Sequence, residues 1–492
     1  MTALSVQELF EKAGLKPRPG QAEVARLIAS ALSEGDVLLV APTGWGKTLA
    51  VLAALKASRR LPALWLTRAL EVGRRVVADA SRLGLRAFVA AGRERLCPYA
   101  RSVEDASEFC RAFRAQCPHF LSLVREGVGD IWAESWEELP KLLPGVCHYY
   151  AQDAIISRAD VVVQNYHRRV SGYYSAAVVD EVHNLLAPRV RKLSAARLEL
   201  ALDELRTSEP ELAGEAEEVL EKPSAEAALQ LLDSVLPLYR EKLKASRSHL
   251  APLVQYLRAV ADGGVPYREA GTVEVYMPPW RPRVEPRVYV SATIPEGLER
   301  LFGAQVVRVP QQPRKALVVT DLTSKYGSET IWGYVKLLAT LRRRFARVLA
   351  FATERVARQI IAGVDFYEER LPAEWRGVAL YTVYGRFSEG VDLSADAVVL
   401  LGAPFLPPEV EARYERYYNR LGISGEAARW VPMVTTTLQC VGRATRKPED
   451  SPLIVLADYR FRRFDFSPTL VLEEVDLRNL EKIEGGGTNA KP

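Results

Sequence analysis

Residues 41–48 read APTGWGKT, between the apolar run DVLLV and the helical stretch LAVLAALKAS. A strand, a glycine-bearing turn and a helix in that order point backbone N–H groups inward at a helix N-terminus, which is what a phosphate chain requires. Gly44 and Gly46 admit the anion without a Cβ in the way, Lys47 supplies a charge for the terminal phosphates, and Thr48 supplies a hydroxyl ligand for Mg²⁺. Position 41 is alanine where the general pattern has glycine, so the flanking strand and helix carry the assignment. A second signature, Asp180-Glu181-Val182-His183, ends the run AAVVD. An Asp at the end of a parallel strand lies beside the phosphate loop and holds Mg²⁺ through water, and the Glu after it orients or deprotonates an attacking water. Farther on, QCVGRATR sets Arg443 and Arg446 three apart, on one face of a helix. A guanidinium delivered from a second unit stabilises the charge that develops during phosphoryl transfer.

Four of the five cysteines, Cys97, Cys110, Cys117 and Cys147, are concentrated between positions 97 and 147. Thiolates suit zinc or an iron–sulfur cluster. Structural zinc usually takes close C-x-x-C pairs, which are absent here, and wide uneven spacing favours more than one iron. Under a zinc reading, His119 and His148 are additional donors; otherwise they are neighbours of the thiols. Cys440 reads as a small core residue.

The elements that position these residues are short β-branched and apolar runs at 36–40, 63–67, 160–163, 176–180, 288–292, 348–353, 378–381, 397–401 and 453–458. Most are separated by amphipathic segments of helical length, so the fold class is α/β with buried parallel strands, and 492 residues accommodate two such sheets. Residues 91–150 break this rhythm, as do the Leu-, Ala- and charge-rich helical residues 189–268. Between Asp203 and Glu226 there are nine acids against two bases, read as a solvated helical face. A net charge of +5 is too even a balance to demand a nucleic-acid partner, so any such contact must be local. No apolar run reaches the ~18 residues of a membrane span, and acids interrupt the first turns, so a cytoplasmic protein is expected.

These motifs, in this order, resemble a superfamily 2 helicase with two RecA-like P-loop lobes, and specifically the XPD family of iron–sulfur DNA helicases, to which bacterial DinG is related. Arg18 and Gln21 match the family's R-x-x-Q adenine-side element, APTGWGKT motif I, LTRAL (66–70) motif Ia, DEVH motif II and Ser291-Ala292-Thr293 motif III. GRFSEGVD (385–392) resembles motif V and QCVGRATR motif VI, while ADVVVQNY (159–166) is like the segment ahead of motif II. Trp45 and Val182 depart from the small residues usual at those positions.

The resemblance implies ATP bound through Arg18, Gln21, Gly44, Gly46, Lys47 and Thr48, Mg²⁺ on Thr48 and Asp180, and water activated by Glu181. Arg443 and Arg446 complete the site on closure, Asp392 and Gln439 sense the γ-phosphate or the attacking water, and Ser291 and Thr293 couple closure to movement. Thr67, Arg68 and Tyr166 lie along single-stranded DNA. Position within the family makes Cys97, Cys110, Cys117 and Cys147 ligands of a 4Fe-4S cluster. The implied domains are lobe 1 in three parts (1–95, 148–188 and 269–308), a cluster domain (96–147), a helical Arch-like insertion (189–268), lobe 2 (309–483) and a disordered tail (484–492). The expected function is a monomeric, ATP-dependent 5′→3′ DNA helicase acting on single-stranded and forked DNA, in repair, with repair or transcription proteins reached through the helical insertion and no membrane. Two alternatives accompany it: a DNA-stimulated translocase that remodels protein–DNA complexes without unwinding, and a nucleotide-gated recruitment subunit.

Overall fold

Val, Leu and Ala runs become strands here because a parallel strand covered by helices on both faces must be apolar on both. The computed structural model describes residues 5–101, 105–245, 248–295, 297–385, 394–444 and 450–480. In chain order the first half contributes β1 (Val37–Val40), β2 (Ala63–Thr67), β3 (Ala87–Val89), β4 (Val161–Asn165) and β5 (Ala176–Val179). There follow β6 (Val190–Ser194), β7 (Val265–Glu269), β8 (Thr272–Tyr276), β9 (Arg287–Ser291) and β10 (Gln305–Arg308). The second half contributes β11 (Arg314–Val319), β12 (Arg347–Ala352), β13 (Phe366–Tyr367), β14 (Gly377–Thr382), β15 (Ala397–Leu401), β16 (Leu453–Ala457) and β17 (Leu470–Val475).

Two seven-stranded parallel sheets result, ordered β10-β1-β9-β5-β2-β4-β3 and β13-β14-β12-β15-β16-β11-β17. The α/β class with two parallel sheets is therefore the observed one, and all nine runs singled out in the sequence are strands. The first order has a direct consequence for chemistry. β1, β9 and β5 are neighbours, with β2 and β4 beside them, so their C-terminal ends bring residues 41–48, 291–293, 180–183, 67–68 and 165–166 to one edge although they are far apart in sequence. Ligands of open α/β sheets bind at that edge.

Between positions 91 and 150 the described residues form short helices and no strand, among them Ala106–Phe113, Pro118–Glu126 and His148–Ile156. Helices Ala195–Ser208, Pro210–Glu221, Ala225–Ala245 and Ala251–Ala261 bury their own apolar cluster, including Leu205, Val235, Tyr239 and Leu253. They stand on an antiparallel sheet of order β6-β8-β7, a foot that the sequence reading did not foresee and that extends past residue 268 to Tyr276. Much of the acidic run 203–226 faces solvent, with Arg206 bridging Glu199, Asp203 and Glu217 at 2.6–2.8 Å. The second half packs onto the first through helices Pro408–Leu421 and Ala427–Arg443, whose Tyr417, Tyr418, Ala428 and Val431 join the apolar cluster under β5 and β9. No helix among the described residues is long and apolar enough to cross a membrane.

Candidate nucleotide site and cysteine cavity

The turn after β1 needs glycine at two positions. Gly44 (φ 79°) and Gly46 (φ 98°) both adopt left-handed backbone, and a Cβ on Gly46 would lie 2.5 Å from Gln21 Nε2. Helix Lys47–Ala57 starts directly after the turn, with Leu49 through Leu55 buried against the sheet. Lys47 Nζ donates to the carbonyls of Ala41 (3.0 Å) and Pro42 (3.1 Å), which holds the ammonium over the loop. Gln21 is buried, donates to Gly46 O at 2.9 Å and accepts from Arg18 N at 3.0 Å, so the R-x-x-Q element is fastened to the phosphate loop. Trp45 points into the apolar core of the first lobe.

Beside this loop, at the end of β5, Asp180 accepts from Trp65 Nε1 (3.4 Å) and Glu181 N (3.0 Å). Burial, reinforced by the neighbouring Glu181 charge, pushes its carboxyl up to about 6, against the pull of Lys47. Glu181 is held at φ 50°, a left-handed conformation that non-glycine residues adopt only when the surroundings impose it. His183 Nδ1 lies 2.8 Å from Ser291 Oγ and 3.2 Å from Thr293 Oγ1, and Thr293 N donates to Ser291 Oγ at 3.1 Å. Complete burial pushes this imidazole down to about 4, so the ring is neutral near pH 7.

From the second half, helix Ala427–Arg443 ends at the same edge. Gly442 lies opposite the Thr43 hydroxyl, and Arg443 is close enough for its charge to contribute to the lowering of the His183 pKa. Gln439 lies one turn before Arg443 on the same helix. Cys440 is buried in the second lobe's core, and burial pushes its thiol up to about 12. Arg446 and Asp392 lie outside the described residues.

The three residues expected along DNA are treated differently by the fold. Arg68 is exposed and donates to Asn184 Oδ1 at 3.0 Å, while Thr67 is buried, its hydroxyl on Ala69 O at 3.1 Å. Tyr166 departs from the stacking expectation. It is 5% exposed, its ring packs 6.0 Å from that of Trp280, and its hydroxyl donates to the carbonyl of Asp180. The β4 terminus, adjacent to β2 and one strand from β5, turns this side chain beneath the acidic motif.

The four clustered cysteines line one cavity of about 270 Å³, walled by rings that include Tyr99, Phe109, Phe120 and Tyr150. Cys97 ends a short helix, Cys110 lies within Ala106–Phe113, and Cys117 and Cys147 are the N-caps of Pro118–Glu126 and His148–Ile156. A helix N-terminus favours a thiolate. Burial opposes ionisation at Cys97 and Cys147, raising both thiols. His119 Nδ1 and His148 Nε2 each lie 2.8 Å from a backbone carbonyl, those of Gly145 and Leu143. Among the described residues no group of three or more His, Cys, Asp or Glu stands close enough to hold one metal ion.

The motif reading left three side chains without a role that this geometry supplies. His183 ties the acidic motif to Ser291, Trp65 holds Asp180, and Arg93 lies 3.9 Å from the Tyr149 ring at the cysteine cavity. Only His183 carried a local signal, as the last letter of DEVH.

A helicase C-terminal domain family matches residues 337–471. The XPD helicase subunit of general transcription and DNA repair factor IIH from Dictyostelium discoideum is 25% identical over 174 residues, 34% of this chain and 22% of that relative. Among solved structures, an XPD helicase superposes with a TM-score of 0.68 at 18% identity, over 94% of this chain and all of that one. Xpd4 of S. tokodaii gives 0.62 at 17% identity, over 93% of this chain and all of that one. The chain therefore has the fold of these solved XPD helicases, and its second half is similar to the helicase C-terminal domain family.

Proposed function

We propose that this chain is an ATP-dependent DNA helicase that moves 5′→3′ along one strand and separates a duplex, in DNA repair. The observation that carries this reading is the convergence of the phosphate loop, Asp180-Glu181, Ser291 and the Arg443 helix at one edge, supplied by both halves of the chain.

In this reading Gly44, Gly46 and Lys47 cradle the phosphates of ATP, with Arg18 and Gln21 on the adenine side. Thr48 and Asp180 hold Mg²⁺, which when bound neutralises phosphate charge. Glu181 takes the proton of the attacking water, and Arg443, with Arg446, stabilises charge on the transferring group. Gln439 and Asp392 monitor the γ-phosphate. The link from His183 to Ser291 and Thr293 ties that event to β9. Arg68, exposed at the same edge, contacts DNA phosphates, with Thr67 shaping its loop.

Cys97, Cys110, Cys117 and Cys147 hold a 4Fe-4S cluster, which when bound ties four segments into one rigid body. The fit rests on four thiols lining one aromatic-walled cavity, soft donors of the number that such a cluster takes. A body of that kind, next to the helical insertion, suits a wedge that splits duplex DNA.

The test is ATP turnover with and without single-stranded DNA. The expected result is stimulation by DNA, with Glu181→Gln reducing turnover at least a hundredfold while ATP still binds. Turnover that ignores DNA, or that survives Glu181→Gln, overturns the proposal.

A further inference from the structure

The helix Pro408–Leu421 carries Arg413, Arg416 and Arg420 on one face, and all three reach the foot of the insertion. Arg413 is 8% exposed; its Nη1 donates to Glu274 Oε2 at 2.9 Å, and its Nη2 pairs with Glu269. Its guanidinium also lies 4.7 Å from the ring of Tyr267 and 5.4 Å from that of Tyr276. Arg416 donates to the Tyr267 hydroxyl at 3.0 Å, and Arg420 to Gly263 O at 2.8 Å. Thus a helix of the second half is clamped to an insertion of the first.

The same helix faces the nucleotide site on another side. Tyr417 donates its hydroxyl to Leu185 O at 2.8 Å, four residues past Glu181. It also packs on Ala427–Arg443, the helix that ends at Arg443 opposite the phosphate loop. A guanidinium forked between two carboxylates and faced by two aromatic rings has one favourable geometry, unlike an apolar contact that can slide. A partly buried arrangement of this kind holds one position or lets go.

We propose that Arg413 is a positioning residue: by seating Pro408–Leu421 on Glu269 and Glu274 it sets where Arg443 meets the nucleotide, so completion of the site and placement of the helical insertion are one movement. This rests on the ATPase reading above. Arg413 touches neither the phosphate loop nor the acidic motif, so its loss is expected to slow turnover without weakening ATP binding to the first lobe.

The experiment is steady-state ATP hydrolysis on saturating single-stranded DNA by the full chain, with Arg413→Gln, Arg413→Lys and Glu274→Gln. Arg413→Gln is expected to lower kcat about tenfold and leave KM for ATP within twofold, with Arg413→Lys recovering part of the loss. Glu274→Gln, which leaves the arginine in place and is the milder change for folding, should lower kcat in the same sense. Wild-type kcat in Arg413→Gln or Glu274→Gln, or a rise in KM at constant kcat, overturns this proposal alone. A wild-type chain that hydrolyses no ATP on DNA overturns the function itself, and this inference with it.

Discussion

His183 shows how one buried side chain connects sequence, site and stability. Unfolded, an imidazole takes up a proton near pH 6.5; here, burial delays that to about 4. Between these values the unfolded state binds the proton and the folded state does not, so stability falls as pH drops from 6.5 toward 4, by up to ~1.4 kcal/mol per pH unit. His183→Asn should flatten that acid slope in urea titrations at stepped pH; an unchanged slope would show that the ring is not held neutral. Tyr166 offers a complementary test. If its hydroxyl steadies the Asp180 carbonyl, Tyr166→Phe lowers kcat several-fold and leaves DNA affinity intact, whereas a side chain stacked on bases would keep both. The glycine turn at 41–48 and DEVH could be singled out because their residues are contiguous, and the fold brings both to one sheet edge. The bond from His183 to Ser291 was not, because it depends on β9 lying between β1 and β5, a neighbour relation that no local pattern encodes.

Helix Ala106–Phe113 carries two unlike residues that serve two different contacts. Cys110 faces the cavity, and two residues earlier the fully buried Glu108 accepts from Arg240 (2.6 Å) and Arg258 of the helical insertion. Burial opposes ionisation of Glu108, but the hydrogen bonds from the two arginines outweigh it and hold the carboxyl below its usual range. A lowered carboxylate stabilises above its unfolded pKa and loses that contribution as pH falls. Glu108→Ala therefore removes the acceptor that these part-buried arginines share and should destabilise by about 1–3 kcal/mol near pH 7, and by less toward pH 3. Denaturant titration at the two pH values checks this; an equal loss at both contradicts it. At the cavity, iron analysis and a visible absorption spectrum should show four irons per chain, depleted in Cys97→Ser; a colourless protein with one zinc contradicts the cluster. The nine long apolar runs were readable as strands, but β3 and β13 are only three and two residues long. The foot strands β7 and β8 mix polar and apolar residues in a way that a helical reading also accepts.

Across the described residues, two parallel sheets present loop ends at their edges, and helices Pro408–Leu421 and Ala427–Arg443 bridge them. The two-lobe division was legible from alternating strands and helices, and the lobe contact was not, since Tyr417 and Arg413 carry no sequence signature of their own. The motifs are short stretches, and identity to the solved XPD helicases is 17–18% while the fold superposes over more than nine-tenths of the chain. The central claim is that ATP hydrolysis drives strand separation. Its most direct measurement is unwinding of a duplex bearing a 5′ single-stranded tail, followed by release of a labelled strand with ATP and Mg²⁺. The wild-type chain should release the strand, Glu181→Gln should not, and a 3′-tailed duplex should stay paired. Robust DNA-stimulated hydrolysis with no strand released from the 5′-tailed duplex would contradict the account.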